Sequence, residues 1–268
     1  MNIRKYIYPI LIIIISIGFY YFEGYLENNK NYSDDKTGGD TSEVNFFYLP
    51  TSTTGAIIVH DNYSLSYSEK HEQAEWVAYQ LKKEHLSTNQ FKRPYFEEDK
   101  KVKSLSSDWR NYKKSGYDKG HLCPAGDRRY TKEAFNETFL TSNITPQNHE
   151  FNSKIWNYLE QKTRSWAKLY DGVYVVTGGV LSDGLSTIGY EQVSVPEYFY
   201  KIIFNNSSGK PKIIAFLMPH KDSRKSLKEF VVSVDEVEKL TGIDFFPTLD
   251  DAIENQIESS ITIKDWKF

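Results

Sequence analysis

The residue types able to do chemistry concentrate between Lys101 and Arg164. From Lys101 to Lys132 there are nine basic residues against three acidic ones, in a chain of 268 residues whose overall charge is −3. A local cationic field therefore stands in an otherwise acidic sequence, and inside it lies Gly116-Tyr117-Asp118-Lys119-Gly120-His121-Leu122. An imidazole titrates near neutrality and can take a proton, and a glycine beside it lets backbone approach a phosphate closely. A solvated charged face would have the same composition. The other five histidines, His60, His71, His85, His149 and His220, stand in no comparable setting.

A second segment, Phe139-Leu140-Thr141-Ser142-Asn143-Ile144-Thr145-Pro146-Gln147, leads into a stretch that from Asn152 to Lys168 contains neither Gly nor Pro. That stretch is expected to be helical. Asn152, Trp156, Glu160 and Arg164 recur every fourth residue and so share one slowly drifting stripe. The stripe reads either as a tryptophan-anchored helix with an i,i+4 Glu-Arg pair or as a metal-bearing face. Eight residues span about 12 Å of helix axis, too far for Asn152 and Glu160 both to bind one ion directly. Asn152 would be the direct ligand and Glu160 would reach metal-bound water. One neutral oxygen ligand completed by water suits Mg²⁺.

These groups must be positioned by a mixture of helices and strands. A strand is expected over Gly55 to His60, and a helix over Ser68 to Glu84 from the spacing of Ala74, Val77, Ala78 and Leu81. Val173 to Val180, Val193 to Phe204 and Lys212 to Met218 are β-rich. Ser233 with Glu236 three residues on signals a capping box and a final helix. Without regular β-α alternation, the expectation is an α+β domain with a largely antiparallel sheet.

Ahead of this domain, Ile7 to Phe22 is a nearly uninterrupted apolar run behind Arg4 and Lys5. Residues 1–26 are read as a signal anchor that spans the membrane with its amino end in the cytoplasm. A cleaved signal peptide is the alternative and would make the protein secreted; either way the folded part is extracytoplasmic. Residues 27–45 are polar and read as a flexible tether, leaving 46–268 as the folded domain. The net charge excludes a globally basic polyanion binder, and one cysteine, Cys123, excludes an intrachain disulfide framework and a four-cysteine zinc site.

The DKGHL core, the SNITPQ run and the N-x₃-W-x₃-E helix resemble the DNA/RNA non-specific endonuclease family, which includes mitochondrial endonuclease G and secreted sugar-non-specific nucleases. Glu75-Trp76-Val77-Ala78-Tyr79 is similar to the family's W-V helix, and the later β-rich runs are similar to its strands. The resemblance covers roughly Ile57 to Pro247. It implies a ββα-metal (His-Me finger) fold in which a hairpin and a crossing helix grip one Mg²⁺, with Mn²⁺ often serving, against a central mostly antiparallel sheet flanked by helices. It implies hydrolysis of DNA and RNA to 5′-phosphate and 3′-hydroxyl ends. His121 would be the general base, Asn152 the metal ligand and Glu160 an outer-sphere group on metal water. Asn143 would help position His121 or its partner groups, and Asp118 would pin the turn. Relatives are often dimers, so the resemblance allows a homodimer, while the sequence itself does not reveal the oligomeric state.

Lys119 stands where the family has Arg. It keeps the charge and loses the bidentate fork toward phosphate. Arg164 would supply part of that contact or pair with Glu160, and Arg128 and Arg129 are expected on nucleic-acid phosphates. Trp156 and Cys123 are expected in the core. Two other readings differ in class: a catalytically weak, membrane-tethered nucleic-acid-binding module of the same fold, and a cysteine hydrolase using Cys123.

Overall fold

Runs of β-branched and aromatic residues form the strands of a seven-stranded sheet, as their preference for a pleated, packed surface dictates. The computed structural model describes residues 48–207 and 209–268. The apolar run Ile7 to Phe22 and the polar tether lie outside the described residues, among which no helix is long and apolar enough to cross a membrane.

In chain order the strands are β1 (Ile57–Val59), β2 (Ser64–Ser68), β3 (Gln73–Leu81), β4 (Asp118–His121), β5 (Ile144–Gln147), β6 (Val173–Gly179), β7 (Thr187–Ile188), β8 (Val193–Ser194), β9 (Tyr198–Asn205), β10 (Lys212–Pro219) and β11 (Val231–Val232). The large sheet runs β1-β2-β3-β6-β9-β10-β11, and every neighbouring pair in it is antiparallel. The helices are α1 (Lys132–Glu137), a composite α2, α3 (Val234–Thr241) and α4 (Asp251–Glu258). α2 runs from His149–Phe151 through a π turn at Asn152–Trp156 into Asn157–Leu169. The α+β architecture with an antiparallel sheet is as expected.

The helix expected over Ser68 to Glu84 is instead the turn into β3 and β3 itself. Val77, Tyr79 and Leu81 pack into the core on one face of the sheet, while Trp76 and Ala78 pack into the core on the other. A strand buried on both faces has apolar residues at nearly every position, so helical spacing can be picked out of it by chance. The β-rich run from Val193 is likewise interrupted. Pro196 has no N–H to donate to a ladder, so β8 pairs with β7 in a ribbon of its own and β9 starts at Tyr198. α3 begins as expected, with the Glu236 N–H donating to Ser233 Oγ, but α4, capped by Asp250, follows it.

Two cores hold these layers together. On one face Phe151, Trp156, Leu159 and Trp166 of α2 meet Val175, Ile203 and Phe216. On the other, Val234 and Val237 of α3, with Phe245 and Phe246 beyond it, meet Val176, Ile202 and Phe204. Trp156 is fully buried, as expected. The ribbon β4–β5 stands apart from the large sheet, with Asp118 opposite Gln147 and His121 opposite Ile144, and leads directly into α2.

Candidate active site

The hairpin β4–β5 presents its chemistry at the start of α2 because Asp118 pairs with Gln147, the residue before the helix cap. Asn148 caps α2, its Oδ1 accepting the N–H groups of Glu150 and Phe151. The cap is itself held by His220, whose Nε2 accepts the Asn148 N–H at 2.7 Å while Nδ1 bonds to the Pro196 carbonyl, also at 2.7 Å. A carbonyl only accepts, so Nδ1 carries the proton and the neutral tautomer is set. Nothing in the sequence around His220 announces this duty, which depends on a strand end arriving from 72 residues away.

Asn152 donates from Nδ2 to Asp118 Oδ2 at 3.0 Å, and His149 Nδ1 lies 2.9 Å from the same oxygen. Because a carboxylate accepts only, the amide nitrogen must face Asp118, which leaves the Asn152 Oδ1 lone pairs for another partner. The π turn at Asn152–Trp156 rotates the chain less per residue than an α-helix does and so reduces the angular offset between Asn152 and Glu160. Such turns recur at functional sites.

His121, Lys119, Asp118, Asn152, Glu160, Arg164, Arg129 and Arg93 all line one cavity of about 620 Å³. His121 sits with Phe139 edge-on at 5.0 Å and Phe96 at 5.6 Å. Its Nε2 is buried without a hydrogen-bond partner. Burial, and secondarily the charge of Arg93, pushes its pKa down to about 3, so the ring is neutral at pH 7. Gly120 serves differently from the expectation. It is buried, and a Cβ there would lie 2.2 Å from the Gln147 side chain, so the missing side chain makes room for the paired strand rather than for a phosphate.

Glu160 is raised to about 7 by burial, an effect opposed by the cation of Lys201. Lys201, on β9, is fully buried. Its Nζ has no hydrogen-bond partner and lies 4.8 Å from the centre of the Trp156 ring. Burial lowers the Lys201 pKa while the Glu160 charge holds it up. Arg164 is 4.0 Å from Glu160 but 2.7 Å from Asp127 Oδ1, and the buried Asp127 also accepts the Tyr79 hydroxyl at 3.0 Å. Asp127 therefore sets the Arg164 guanidinium. Lys119 holds its ammonium 5.4 Å from the Phe96 ring centre, and Arg129 is exposed at the cavity wall.

Several expected residues are elsewhere. Arg128 is 1% exposed and donates to the backbone carbonyls of Asn62, Gln80 and Asp127, stacked 4.8 Å from the Tyr79 ring centre. It is structural and unavailable to a nucleic-acid phosphate. Asn143 is fully buried and does not reach the cavity; its Oδ1 accepts the Cys123 N–H at 2.8 Å, and its Nδ2 donates to the Cys123 and Thr138 carbonyls. It braces the chain two residues beyond His121. Cys123 is buried, and that burial pushes its thiol up to about 12, which removes the cysteine-hydrolase reading because the thiolate is the nucleophile. Asp127, Lys201, His220 and Arg93 were missed. No local pattern marks the first three, whereas Arg93 sits in a basic Lys92-Arg93 pair just ahead of the Lys101 block.

The chain matches the family model described as DNA/RNA non-specific endonuclease over residues 40–252. It is 35% identical over 212 residues to the mitochondrial nuclease EXOG of Danio rerio, covering 71% of this chain and 60% of that protein. It is 36% identical over 215 residues to nuclease C1 of Cunninghamella echinulata var. echinulata, covering 74% and 85%. A solved structure of an EndoG/EndoGI complex aligns with a TM-score of 0.67 and 32% identity, over 72% of this chain and 86% of that one. The chain spans about three fifths of the length of the zebrafish relative.

Proposed function

This chain belongs to the DNA/RNA non-specific endonuclease family, and from that premise we propose that it hydrolyses phosphodiester bonds of DNA and RNA with little sequence preference, leaving 5′-phosphate and 3′-hydroxyl ends. The observation that carries the reading is the convergence of His121, Asn152, Glu160, Lys119, Arg129 and Arg164 on one cavity. Its oxygen donors fit a hard divalent cation, since the Asn152 amide has only its nitrogen spent on Asp118 and the Glu160 carboxylate lines the same wall. Asn152 would hold Mg²⁺ directly and Glu160 through water, and the bound ion would supply positive charge for the departing oxygen.

The protein's own groups do the rest. His121 accepts the proton of the attacking water at Nδ1, since Nε2 is buried, and this requires the neutral imidazole that burial maintains. A phosphodiester entering the cavity adds negative charge beside the ring and draws its pKa up from about 3 toward the working range. Asp118 orients the Asn152 amide. Arg164, fixed by Asp127, and the exposed Arg129 draw in the backbone phosphates, while Lys119 contributes charge without bidentate geometry. Binding of this kind is mainly electrostatic and weakens with salt.

The full chain is expected to nick supercoiled plasmid with Mg²⁺ and to stop on chelation, with cleavage falling as ionic strength rises. Retention of DNA without cleavage under any divalent ion would replace this reading with that of a binding module. We also propose that Ile7 to Phe22, behind Arg4 and Lys5, tethers the domain on the outer side of a membrane. Mass spectrometry of the native amino terminus distinguishes that anchor from a removed signal.

A further inference from the structure

On the sheet face opposite the cavity, α3 and α4 bring acidic side chains together. Carboxylate oxygens of Asp235 and Glu238 on α3 and of Glu258 at the end of α4 lie within 4.8 Å of one another. Glu258 is only 5% exposed, and its Oε1 is buried without a partner, as is Oε1 of Glu254 one helical turn earlier. Glu238 Oε1 accepts one backbone N–H, from Phe245, at 3.0 Å. The strongest charge effects on Glu258 come from Glu238, Glu254, Asp244 and Asp235, all of them acidic.

Acidic clusters on a surface disperse into solvent at little cost, but this one does not. Glu254 and Glu258 form an i,i+4 like-charge pair, which is unfavourable on a helix, and Glu258 stands at the negative end of the α4 dipole. Ile257 between them is packed into the core with Phe245 and Phe246, so the helix cannot turn its acids outward without unburying that contact. Two orphaned buried oxygens and a packed helix define a place for a positive charge that no ion pair among the described residues supplies.

We propose that the junction of α3 and α4 is a calcium site formed by the carboxylates of Asp235, Glu238 and Glu258. Calcium takes oxygen ligands at about 2.3–2.6 Å in flexible geometry, so oxygens facing each other across it stand up to about 5 Å apart, the spacing found here. Magnesium, at about 2.0–2.1 Å and octahedral, would need the cluster to contract. The ion clamps α4 against α3 and so secures a carboxy-terminal segment, residues 253–268, that lies beyond the part of the chain matching the family. The site is independent of the cavity and of the nuclease reading.

The test is calcium binding by equilibrium dialysis and thermal melting of the full chain carrying Asn152→Ala, which removes the proposed cavity ligand. One calcium ion should still bind and raise the melting temperature. Adding Glu258→Gln should weaken binding at least tenfold, about 1.4 kcal/mol, while the metal-free melting temperature does not fall. Glu236→Gln, an exposed acid on α3 outside the cluster, should leave binding unchanged. Should Glu258→Gln fail to fold, Asp235→Asn, at an exposed position, should weaken binding in its place. Absence of calcium binding in the Asn152→Ala chain, or binding indifferent to Glu258→Gln and Asp235→Asn alike, overturns the proposal.

Discussion

On the sheet face covered by α2, the carboxylates that line or back the cavity meet cations or donors. Asp127 holds Arg164 and the Tyr79 hydroxyl, Asp118 holds Asn152 and His149, and Glu160 faces Lys201. On the face covered by α3 and α4, Glu258 faces Glu238, Glu254, Asp244 and Asp235. The first arrangement sets a cation or donor beside each carboxylate, although His121 Nε2 and Lys201 Nζ there keep no hydrogen-bond partner. The second leaves carboxylate oxygens unpartnered, which is the signature of a missing positive charge. What differs between the two faces is whether a counter-charge or donor stands beside each buried carboxylate.

The comparison breaks most sharply at His121. Replacing it with alanine is expected to lower the plasmid-nicking rate by about 10²–10⁴-fold with the melting temperature nearly unchanged, and a variant retaining wild-type rate would remove the ring from the chemistry. Asp127→Asn strips Arg164 of its compensating charge. Breaking a buried pair costs about 3–5 kcal/mol, to be read from urea unfolding together with reduced DNA binding.

Lys201→Met conserves volume and removes an unpartnered buried ammonium. The expected fold stability is equal or higher, but Glu160 loses its counter-charge and holds its proton more tightly, so the Mg²⁺ concentration for half-maximal nicking should rise about tenfold, matching a pKa shift of about one unit. An unchanged metal requirement would show that Lys201 does not act through Glu160.

The smallest effect concerns pH. Burial, with Glu238, Glu254, Asp244 and Asp235 around it, raises Glu258 from 4.5 to about 8. The folded chain then binds a proton that the unfolded chain releases between these values, so stability falls as pH rises through that window. In chelator, Glu258→Gln should flatten this part of the melting-temperature profile by a few degrees, and calcium should do the same for the wild type. A wild-type profile already flat there would mean the cluster carries no strain. As a control on the compensated face, native protein should resist iodoacetamide at Cys123 until it is unfolded.

The residues of the cavity were legible because their motifs are local: Asp118 to His121 lie on one short strand and Asn152 to Glu160 on one helix, and spacing along an element is a property of sequence. Arg128 misled for the same reason: it neighbours cavity residues in the chain, yet burial turns its guanidinium onto carbonyls of Asn62 and Gln80. Asn143 acts one step removed, its amide holding the Cys123 backbone two residues beyond His121.

From the order of residues alone came the charged segment, the histidine with its carboxamide partner, the α2 helix and the antiparallel character of the sheet, since hydropathy period and motif spacing act over a few turns of chain. Folding in three dimensions decided that β3 is a strand, that Lys201 and Asp127 stand behind the cavity, that His220 holds the cap of α2, and that five acids meet between α3 and α4. Those outcomes depend on which distant groups share a desolvated volume, and desolvation sets both the cost of an unpaired charge and the identity of the partner that relieves it.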